Sequence, residues 1–201
     1  MPLHSKEQLK HGIVALWEIT ESFDQLRLQV PESWLEGVNL LKLSKHNLAA
    51  RALANTVCPG FKLLEKDEFG KPYFESAEYQ ISISHAGKYA AFMLHREGDC
   101  GIDMEKITDR IIPITSKFIR EDEQAFAELG LRGMFMVWCA KEALYKLYGR
   151  KALDFKTHLK VHFQEMKESG ILHGEINKGD YQKKVDLQYR FIEDYLIVHT
   201  L

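Results

Sequence analysis

A single strongly helical segment, followed by four short segments of alternating polarity, restricts this chain to few folds. Residues 134–148 carry apolar side chains at helical spacing, and the next residue, Gly149, is of the type that commonly ends a helix. Polar and apolar residues then alternate in four stretches, 161–163, 172–176, 185–191 and 195–199. Because side chains alternate between the two faces of a strand, this pattern predicts antiparallel strands with one buried face.

The first half of the chain has a similar order of elements. Residues 13–19 predict a strand, and residues 32–57 carry apolar side chains near helical spacing and predict one or two helices. Residues 79–84 and 89–95 predict a pair of strands. The pattern changes near Gly98. We therefore expect an α+β fold with two similar, pseudo-symmetric lobes, residues 1–98 and 99–201, each made of antiparallel strands packed with helices.

Composition and charge exclude several classes of protein. Hydrophobic residues make up 45% of the 201 residues, which is enough for a substantial core. The formal net charge of −2 gives no global basic field of the kind that favours nucleic acid. Three cysteines without metal-like spacing favour a reduced compartment. With a polar N-terminus and no apolar run of about 18 residues, we expect no signal peptide, no membrane span and a cytoplasmic location.

Two acids separated by one residue lie in a segment that predicts a strand, residues 100–105. Asp103 and Glu105 point to the same face of such a strand. Carboxylate oxygens at this spacing suit Mg²⁺, which binds one or two protein carboxylates and completes its shell with water and phosphate oxygens. A solvated strand end explains the same pattern without a metal ion.

The helical segment 134–148 carries a second group of candidate site residues. Trp138, Lys141, Glu142 and Lys146 fall at helical spacing on one broad face. An acid between lysines suits a surface that binds phosphate. An ordinary amphipathic helix is the simpler explanation, because a Glu142–Lys146 pair one turn apart stabilises a helix by only about 0.2–0.5 kcal/mol.

Polar and basic residues of the first half form a third group. Ser84 and His85 come at the end of a predicted strand, where a hydroxyl, an imidazole and loop amides suit a phosphate. Lys45 and Arg51 lie on a predicted helix, and Lys71 lies in a Gly-Lys-Pro turn. A polar hairpin end, a solvated helix face and a plain turn account for these residues as well. No Gly-x-Ser-x-Gly motif surrounds Ser84, so a hydrolase pair is not indicated.

The order and spacing of these motifs are more specific than any one of them. Along the chain come GKP at 70–72, SISH at 82–85, GIDME at 101–105, the segment 118–123 and WCAKEALYK at 138–146. This series resembles the 4′-phosphopantetheinyl transferase superfamily, specifically its Sfp-like, pseudodimeric branch. The resemblance covers about residues 40–150 by motif, and after Gly149 only the strand-rich character matches.

The resemblance implies a reaction and its participants. Members of this family transfer the phosphopantetheine arm of coenzyme A to a serine of an apo acyl or peptidyl carrier protein, with Mg²⁺, and release adenosine 3′,5′-bisphosphate. Coenzyme A is expected in a cleft between the two lobes, so a monomer is sufficient, with neither nucleic acid nor a membrane as partner. Since carrier proteins are acidic, we expect a basic or apolar rim for docking, for which the apolar residues of 118–131 are candidates.

The resemblance also assigns roles to residues. The implied metal ligands are Asp103, Glu105 and Glu142. The implied coenzyme A contacts are Lys45, Arg51, Lys71, Ser84, His85, Lys141 and Lys146. Lys146 is also expected to stabilise charge on the leaving phosphate, and Glu142 is the candidate base, with a metal-bound hydroxide as the alternative. Glu123 matches a recurring acid of the family to which the sequence assigns no role.

Two other functions fit the same residues. One is a different metal-dependent enzyme that cleaves a diphosphate, such as a hydrolase, which the carboxylates alone allow. The other is a module that binds coenzyme A without turnover, although the presence of all three acids favours an enzyme.

Overall fold

Two compact units make up the chain, Met1–Asp99 and Cys100–Leu201. The structure is a computed structural model and describes residues 3–39, 42–62, 64–75 and 78–201. Each unit has its own antiparallel sheet and its own buried apolar core, which confirms the expected α+β class. No helix in the described ranges is both long enough and apolar enough to cross a membrane.

The N-terminal unit is built on a four-stranded antiparallel sheet with the strand order β1-β2-β6-β5. Its strands are β1 (Leu3–Leu9), β2 (Gly12–Glu18), β5 (Gln80–Ala86) and β6 (Tyr89–His95), and a separate hairpin consists of β3 (Leu64–Lys66) and β4 (Pro72–Phe74). The predicted strand pair is present as β5 and β6. Gly87 allows the tight turn between them because it adopts a positive φ of 51°.

Two helices accompany this sheet, α1 (Phe23–Arg27) and α2 (Lys45–Val57). Helix α2 begins after Ser44, whose side-chain oxygen accepts a hydrogen bond from the Asn47 N–H while the Asn47 side chain accepts one from the Ser44 N–H. This reciprocal cap fixes the helix start. Its apolar side is rich in alanine and enters the core, so the helix packs closely on β2 and β6. The predicted helical stretch 32–57 thus contains α2 and, before it, a 3₁₀ turn at Glu32–Trp34.

The C-terminal unit is built on a five-stranded antiparallel sheet with the strand order β7-β11-β10-β9-β8. Its strands are β7 (Ile102–Lys106), β8 (Leu159–His162), β9 (Ser169–Lys178), β10 (Tyr181–Ile192) and β11 (Tyr195–Thr200). The four strands predicted after the helix are confirmed. Their alternating polarity matches alternating burial in β9 and β10.

Helix α4 (Gly130–Tyr148) lies on this sheet and contacts β7 and β11 most closely. It ends at Gly149, which adopts the left-handed conformation with φ 67°. A short helix α3 (Gln124–Glu128) precedes it, and 3₁₀ helices span Asp109–Lys117 and Glu121–Glu123. The predicted helix at 134–148 is confirmed and begins one turn earlier than expected.

Gly101, just before β7, allows the chain to approach α4 closely. A Cβ atom at this position would lie 1.9 Å from the carbonyl oxygen of Ala143 on α4. Such a contact is far shorter than van der Waals distance, and its partner is backbone that cannot rotate away. Any side chain at position 101 would therefore push the strand and the helix apart.

We predict that Gly101→Ala lowers the free energy of unfolding by about 2 kcal/mol or more, because the extra methyl group overpacks a rigid backbone contact. Urea denaturation measures the change. Gly98→Ala is the matched control, since a Cβ at Gly98 meets no atom within 4 Å. Equal effects of the two substitutions would contradict this explanation.

Candidate active site

The two acids of β7 lie on the face of the sheet that α4 covers. In the ladder with β11, Asp103 is paired with Val198 and Glu105 with Leu196, and both partners belong to the apolar core beneath α4. Directly paired residues project to the same face. Asp103 is buried and Glu105 is partly buried. The shared face that the spacing of the two acids predicts is therefore the face that meets the helix.

Asp103 is held by a cation from α4. Lys146 Nζ donates to Asp103 Oδ1 at 2.8 Å and to the carbonyl oxygen of Ile102 at 2.9 Å. The Lys146 side chain is 26% exposed and that of Asp103 is 6% exposed, so the lysine side chain as a whole is more accessible to solvent than the aspartate. The structure thus joins one predicted metal ligand directly to one predicted phosphate contact.

Glu105 is held by two donors. Trp138 Nε1 of α4 donates to Glu105 Oε1 at 3.3 Å, and Arg110 forms an ion pair with the other carboxylate oxygen. Arg110 lies in the 3₁₀ helix that follows β7 and was not predicted as a site residue. No sequence motif around Arg110 indicates its contact with Glu105, because this contact depends on how the chain turns after β7.

Glu142 completes a group of three carboxylates. Burial and the nearby charges of Asp103 and Glu105 raise the pKa of Glu142 to about 7, while Lys146 acts in the opposite direction. Burial and Asp103 also raise the pKa of Glu105. Burial is the largest cause of both shifts, and repulsion between neighbouring carboxylates adds to it. The structure therefore brings the three predicted metal ligands into one electrostatic environment.

This donor set fits a hard divalent cation. Three carboxylates offer only oxygen ligands, which suits Mg²⁺ better than zinc. Their repulsion, expressed in the raised pKa values of Glu142 and Glu105, is relieved by a positive ion among them. In the structure Lys146 and Arg110 supply the compensating charge. Among the described residues, however, no group of three His, Cys, Asp or Glu side chains is arranged so that it could hold a metal ion without rearrangement.

Lys141 does not lie where its predicted role requires. Its side chain is fully buried, and Nζ donates to the Phe118 carbonyl at 2.7 Å, to Glu123 Oε2 at 2.7 Å and to the Phe155 carbonyl at 2.9 Å. An ammonium group has three N–H donors, so all of them are used inside the unit. This placement is a correction to the predicted diphosphate contact. Consecutive helical residues point about 100° apart, so Lys141 faces inward where Glu142 faces the acids.

Ser84 and His85 of β5 differ in exposure. Ser84 is buried and His85 is exposed, as expected for consecutive residues of a strand. The His85 ring stacks on His46 of α2 with ring centroids 4.9 Å apart. His46 Nε2 lies 2.7 Å from the Gly87 carbonyl, which only accepts, so this nitrogen carries the hydrogen. His46 was not predicted as a site residue, because its position in the first turn of α2 gains significance only when the strand that it faces is known.

The predicted basic residues of the N-terminal unit lie in different surroundings. Lys45 is exposed in the first turn of α2. Arg51, six residues later, is half-buried, donates to the Asn47 carbonyl at 3.4 Å, and has a pKa lowered by burial. Lys71 Nζ lies 2.5 Å from Asp99 Oδ1, and its side chain is 14% exposed. The structure thus places His85 beside the first turn of α2, whereas Lys71 is engaged by an acid.

Comparison with known proteins agrees with the motif series. A family model described as the 4′-phosphopantetheinyl transferase superfamily matches residues 99–198, nearly the whole C-terminal unit with β7 and α4. No curated protein matches the chain. Enzymes of this family use coenzyme A as a substrate and modify carrier proteins. The chain therefore belongs to the 4′-phosphopantetheinyl transferase superfamily, and it is a 4′-phosphopantetheinyl transferase.

Proposed function

We propose that this enzyme transfers the 4′-phosphopantetheine group of coenzyme A to a serine of an apo acyl or peptidyl carrier protein, depends on Mg²⁺, and releases adenosine 3′,5′-bisphosphate. The observation that carries this proposal is the group of Asp103, Glu105 and Glu142 on β7 and α4, with Lys146 paired to Asp103. A metal ion and an ammonium group both neutralise the charge of a diphosphate. In this proposal the three carboxylates hold the ion, and Lys146 carries the ammonium group.

We also propose the Sfp-like, pseudodimeric branch, with residues 1–98 and 99–201 as its lobes and coenzyme A in a cleft between them. Each unit consists of an antiparallel sheet and one helix of more than three turns packed on it, which supports this assignment. We further propose that the enzyme is a monomer and that it acts in the reducing environment of the cytoplasm.

Three residues hold the metal ion in this proposal, Asp103, Glu105 and Glu142. When bound, Mg²⁺ neutralises diphosphate oxygens and orients the leaving phosphate. Lys146 donates to the same phosphate, for which its partly exposed side chain beside Asp103 is suited. Its ammonium charge then stabilises the charge that develops on the leaving group.

Glu142 is the proposed base. Without metal, burial and the neighbouring acids raise the pKa of Glu142 to about 7. A bound cation lowers this pKa, so that Glu142 is ionised and able to accept the serine proton. The proton of the carrier serine moves to the Glu142 carboxylate, and the serine oxygen forms a bond with the phosphorus that bears pantetheine. The bond from that phosphorus to the bridging oxygen breaks, and adenosine 3′,5′-bisphosphate leaves with the electron pair.

The proposed contacts to the nucleotide of coenzyme A come from the N-terminal unit. They are Lys45, Arg51, Lys71, Ser84 and His85. Support comes from the exposed imidazole of His85 and the exposed ammonium group of Lys45. A phosphate at Lys71 has to replace Asp99, the present partner of its ammonium group.

The docking surface for the carrier protein differs from the apolar rim expected at 118–131. Phe118, Ile119 and Phe126 are buried in the core, and of the larger apolar side chains there Leu129 is the most exposed. These aromatic residues stabilise the unit instead of offering a contact surface. The apolar candidates are therefore largely withdrawn from solvent.

A basic rim lies beside this segment, and we define it by four cations, Lys117, Arg120, Lys156 and Lys160. Arg120 Nε and Lys160 Nζ lie 2.9 and 2.7 Å from the two oxygens of Asp122, whose pKa they lower to about 2. Arg120 also donates to the Lys156 carbonyl at 2.8 Å. Lys156 Nζ donates to the carbonyl of Ser116, the residue before Lys117, at 3.3 Å. The four cations outnumber Asp122 and the neighbouring exposed acids Glu121 and Asp154, which leaves a net positive surface complementary to an acidic carrier protein.

The transfer reaction is tested by incubation with coenzyme A and Mg²⁺, with and without an apo carrier protein. We expect adenosine 3′,5′-bisphosphate only when the carrier is present, and a gain in carrier mass equal to one phosphopantetheine group. Release without carrier would indicate a diphosphate hydrolase, and tight binding without either product would indicate a binding module. Both results would contradict the proposal.

The role of Glu142 is tested by Glu142→Gln, which keeps the size of the side chain and removes its basicity. With coenzyme A and Mg²⁺ bound, we expect the single-turnover rate to fall about 100-fold or more, the usual contribution of a general base. Glu128→Gln, at an exposed end of α3, is the control and keeps the wild-type rate. A wild-type rate in Glu142→Gln would show that another group takes the proton.

The same variant tests the raised pKa without turnover. Native Glu142 keeps its proton up to a pH of about 7, while the unfolded chain loses it near the ordinary value of about 4.3. The native state thus binds more protons than the unfolded chain in this window, so the free energy of unfolding falls as the pH rises. The total fall is about 1.4 kcal/mol for each unit by which the pKa is shifted. In metal-free buffer, Glu142→Gln should therefore gain stability relative to wild type across this window. A pH-independent difference would refute the shift.

Docking on the basic rim is tested by the double substitution Lys117→Glu/Lys156→Glu. We expect the KM for an acidic carrier to rise about tenfold and to become independent of salt concentration. The reason is that charges at a rim attract the carrier during encounter, and salt screens this attraction. The KM for coenzyme A should not change. Lys167→Glu/Lys183→Glu alters net charge equally at exposed positions outside the rim and is the matched control. Equal effects of both pairs would exclude a specific docking surface.

A further inference from the structure

We propose that Glu123 and Lys141 are positioning residues, which fix the indole of Trp138 and, through it, the carboxylate of Glu105. This inference rests on the proposed function, because Glu105 is one of its three metal ligands. It gives a role to Glu123, which the sequence left without one, and a new role to Lys141.

The Glu123–Lys141 ion pair is fully buried and its hydrogen bonds are satisfied. Both side chains are 0% exposed, and Lys141 Nζ lies 2.7 Å from Glu123 Oε2. The Glu123 carboxylate also accepts from the backbone N–H groups of Arg120 at 3.0 Å and Val161 at 2.9 Å. Burying two charges is unfavourable unless such partners are in place. The pair therefore ties α4 to the segment before α3 and to β8 in one defined arrangement.

The two carbonyl groups that Lys141 binds belong to the residues that hold Trp138. Phe118 and Phe155 accept hydrogen bonds from Lys141 through their backbone oxygens. Their rings contact the Trp138 ring, with centroids 5.1 and 5.5 Å away. Lys141 thus fixes the backbone positions from which both rings contact the indole.

Trp138 transmits this arrangement to the site. Its Nε1 donates to Glu105 Oε1 at 3.3 Å, so the plane of the indole determines the direction of the hydrogen bond. A donor to a metal-binding carboxylate orients that carboxylate, and losing such a partner commonly weakens metal binding 10- to 100-fold. The ion pair, the two rings and the indole form a continuous series of contacts that ends at Glu105.

Stability alone does not account for the choice of charged residues. Buried ion pairs are often replaced by apolar side chains of similar volume without loss of stability. Hydrogen bonds, by contrast, have direction, and Lys141 directs three of them at once. A positioning role therefore explains an ammonium group at this place where a merely structural role does not.

The test measures Mg²⁺ affinity by calorimetry with coenzyme A present and no carrier, so that no turnover occurs, together with the free energy of unfolding. Trp138→Phe keeps an aromatic ring against Phe118 and Phe155 and removes the N–H donor. Glu123→Gln keeps the volume and removes the ion pair. We expect each to raise the Kd for Mg²⁺ about tenfold. The control is Arg132→Gln, which breaks the exposed ion pair between Arg132 of the same helix and Glu168. We expect it to leave the Kd for Mg²⁺ unchanged.

The combination of variants decides between positioning and stability. If both residues act through one series of contacts, the double variant raises the Kd no further than Trp138→Phe alone. Should Glu123→Gln fail to fold, Phe155→Leu takes its place, because it removes one ring and leaves the ion pair intact. A wild-type Kd in the folded Glu123→Gln or Phe155→Leu variant, or independent effects that multiply, would overturn the inference.

The outcomes also separate this inference from the proposed function. If the wild-type protein binds no Mg²⁺ in the presence of coenzyme A, the proposed metal site is wrong and the positioning role falls with it. If Mg²⁺ binds and the variants weaken it as expected while the apo carrier stays unmodified, the positioning role holds and the proposed transfer fails.

Discussion

The approach of β7 to α4 at Gly101 is the contact on which the candidate site depends. Gly101 lies two residues before Asp103, and the carbonyl oxygen that a Cβ at Gly101 would touch belongs to Ala143, the residue after Glu142. The backbone contact therefore sets the separation between the acid of the strand and the acid of the helix. A wider separation would expose the carboxylates to solvent, and neither the raised pKa of Glu142 nor the proposed sharing of one metal ion would follow.

Gathering acids in this way is unfavourable by itself, and the surrounding cations compensate for it. Lys146 pairs with Asp103 and Arg110 with Glu105, while the pKa of Glu142 rises to about 7. In the proposed reaction a metal ion takes over this compensation, and Lys146 becomes available to the diphosphate. The same electrostatic condition thus underlies the proposed affinity for a cation, the placement of the lysine and the raised pKa of Glu142 without metal.

Local pattern predicted most of the C-terminal unit, because helix and strand periodicity depend on neighbouring residues. The helix at 134–148 and the strands after it are confirmed. Strand β1 was not predicted, since it is an edge strand whose inward residues are only partly buried and whose sequence is mostly polar. Helical spacing does not show how deeply a side chain is buried, so the sequence analysis placed Lys141 on the same face as Glu142. The stacking of His46 on His85 depends on a non-local contact that no sequence pattern reports.

The central claim is that one divalent ion binds all three carboxylates, and a crystal structure with coenzyme A and Mn²⁺ in place of Mg²⁺ tests it most directly. Anomalous scattering locates the ion. We predict an ion bound by oxygens of Asp103, Glu105, Glu142 and the diphosphate, with Lys146 Nζ moved to a phosphate oxygen. An ion held by phosphate oxygens alone, with Lys146 still on Asp103, would contradict it.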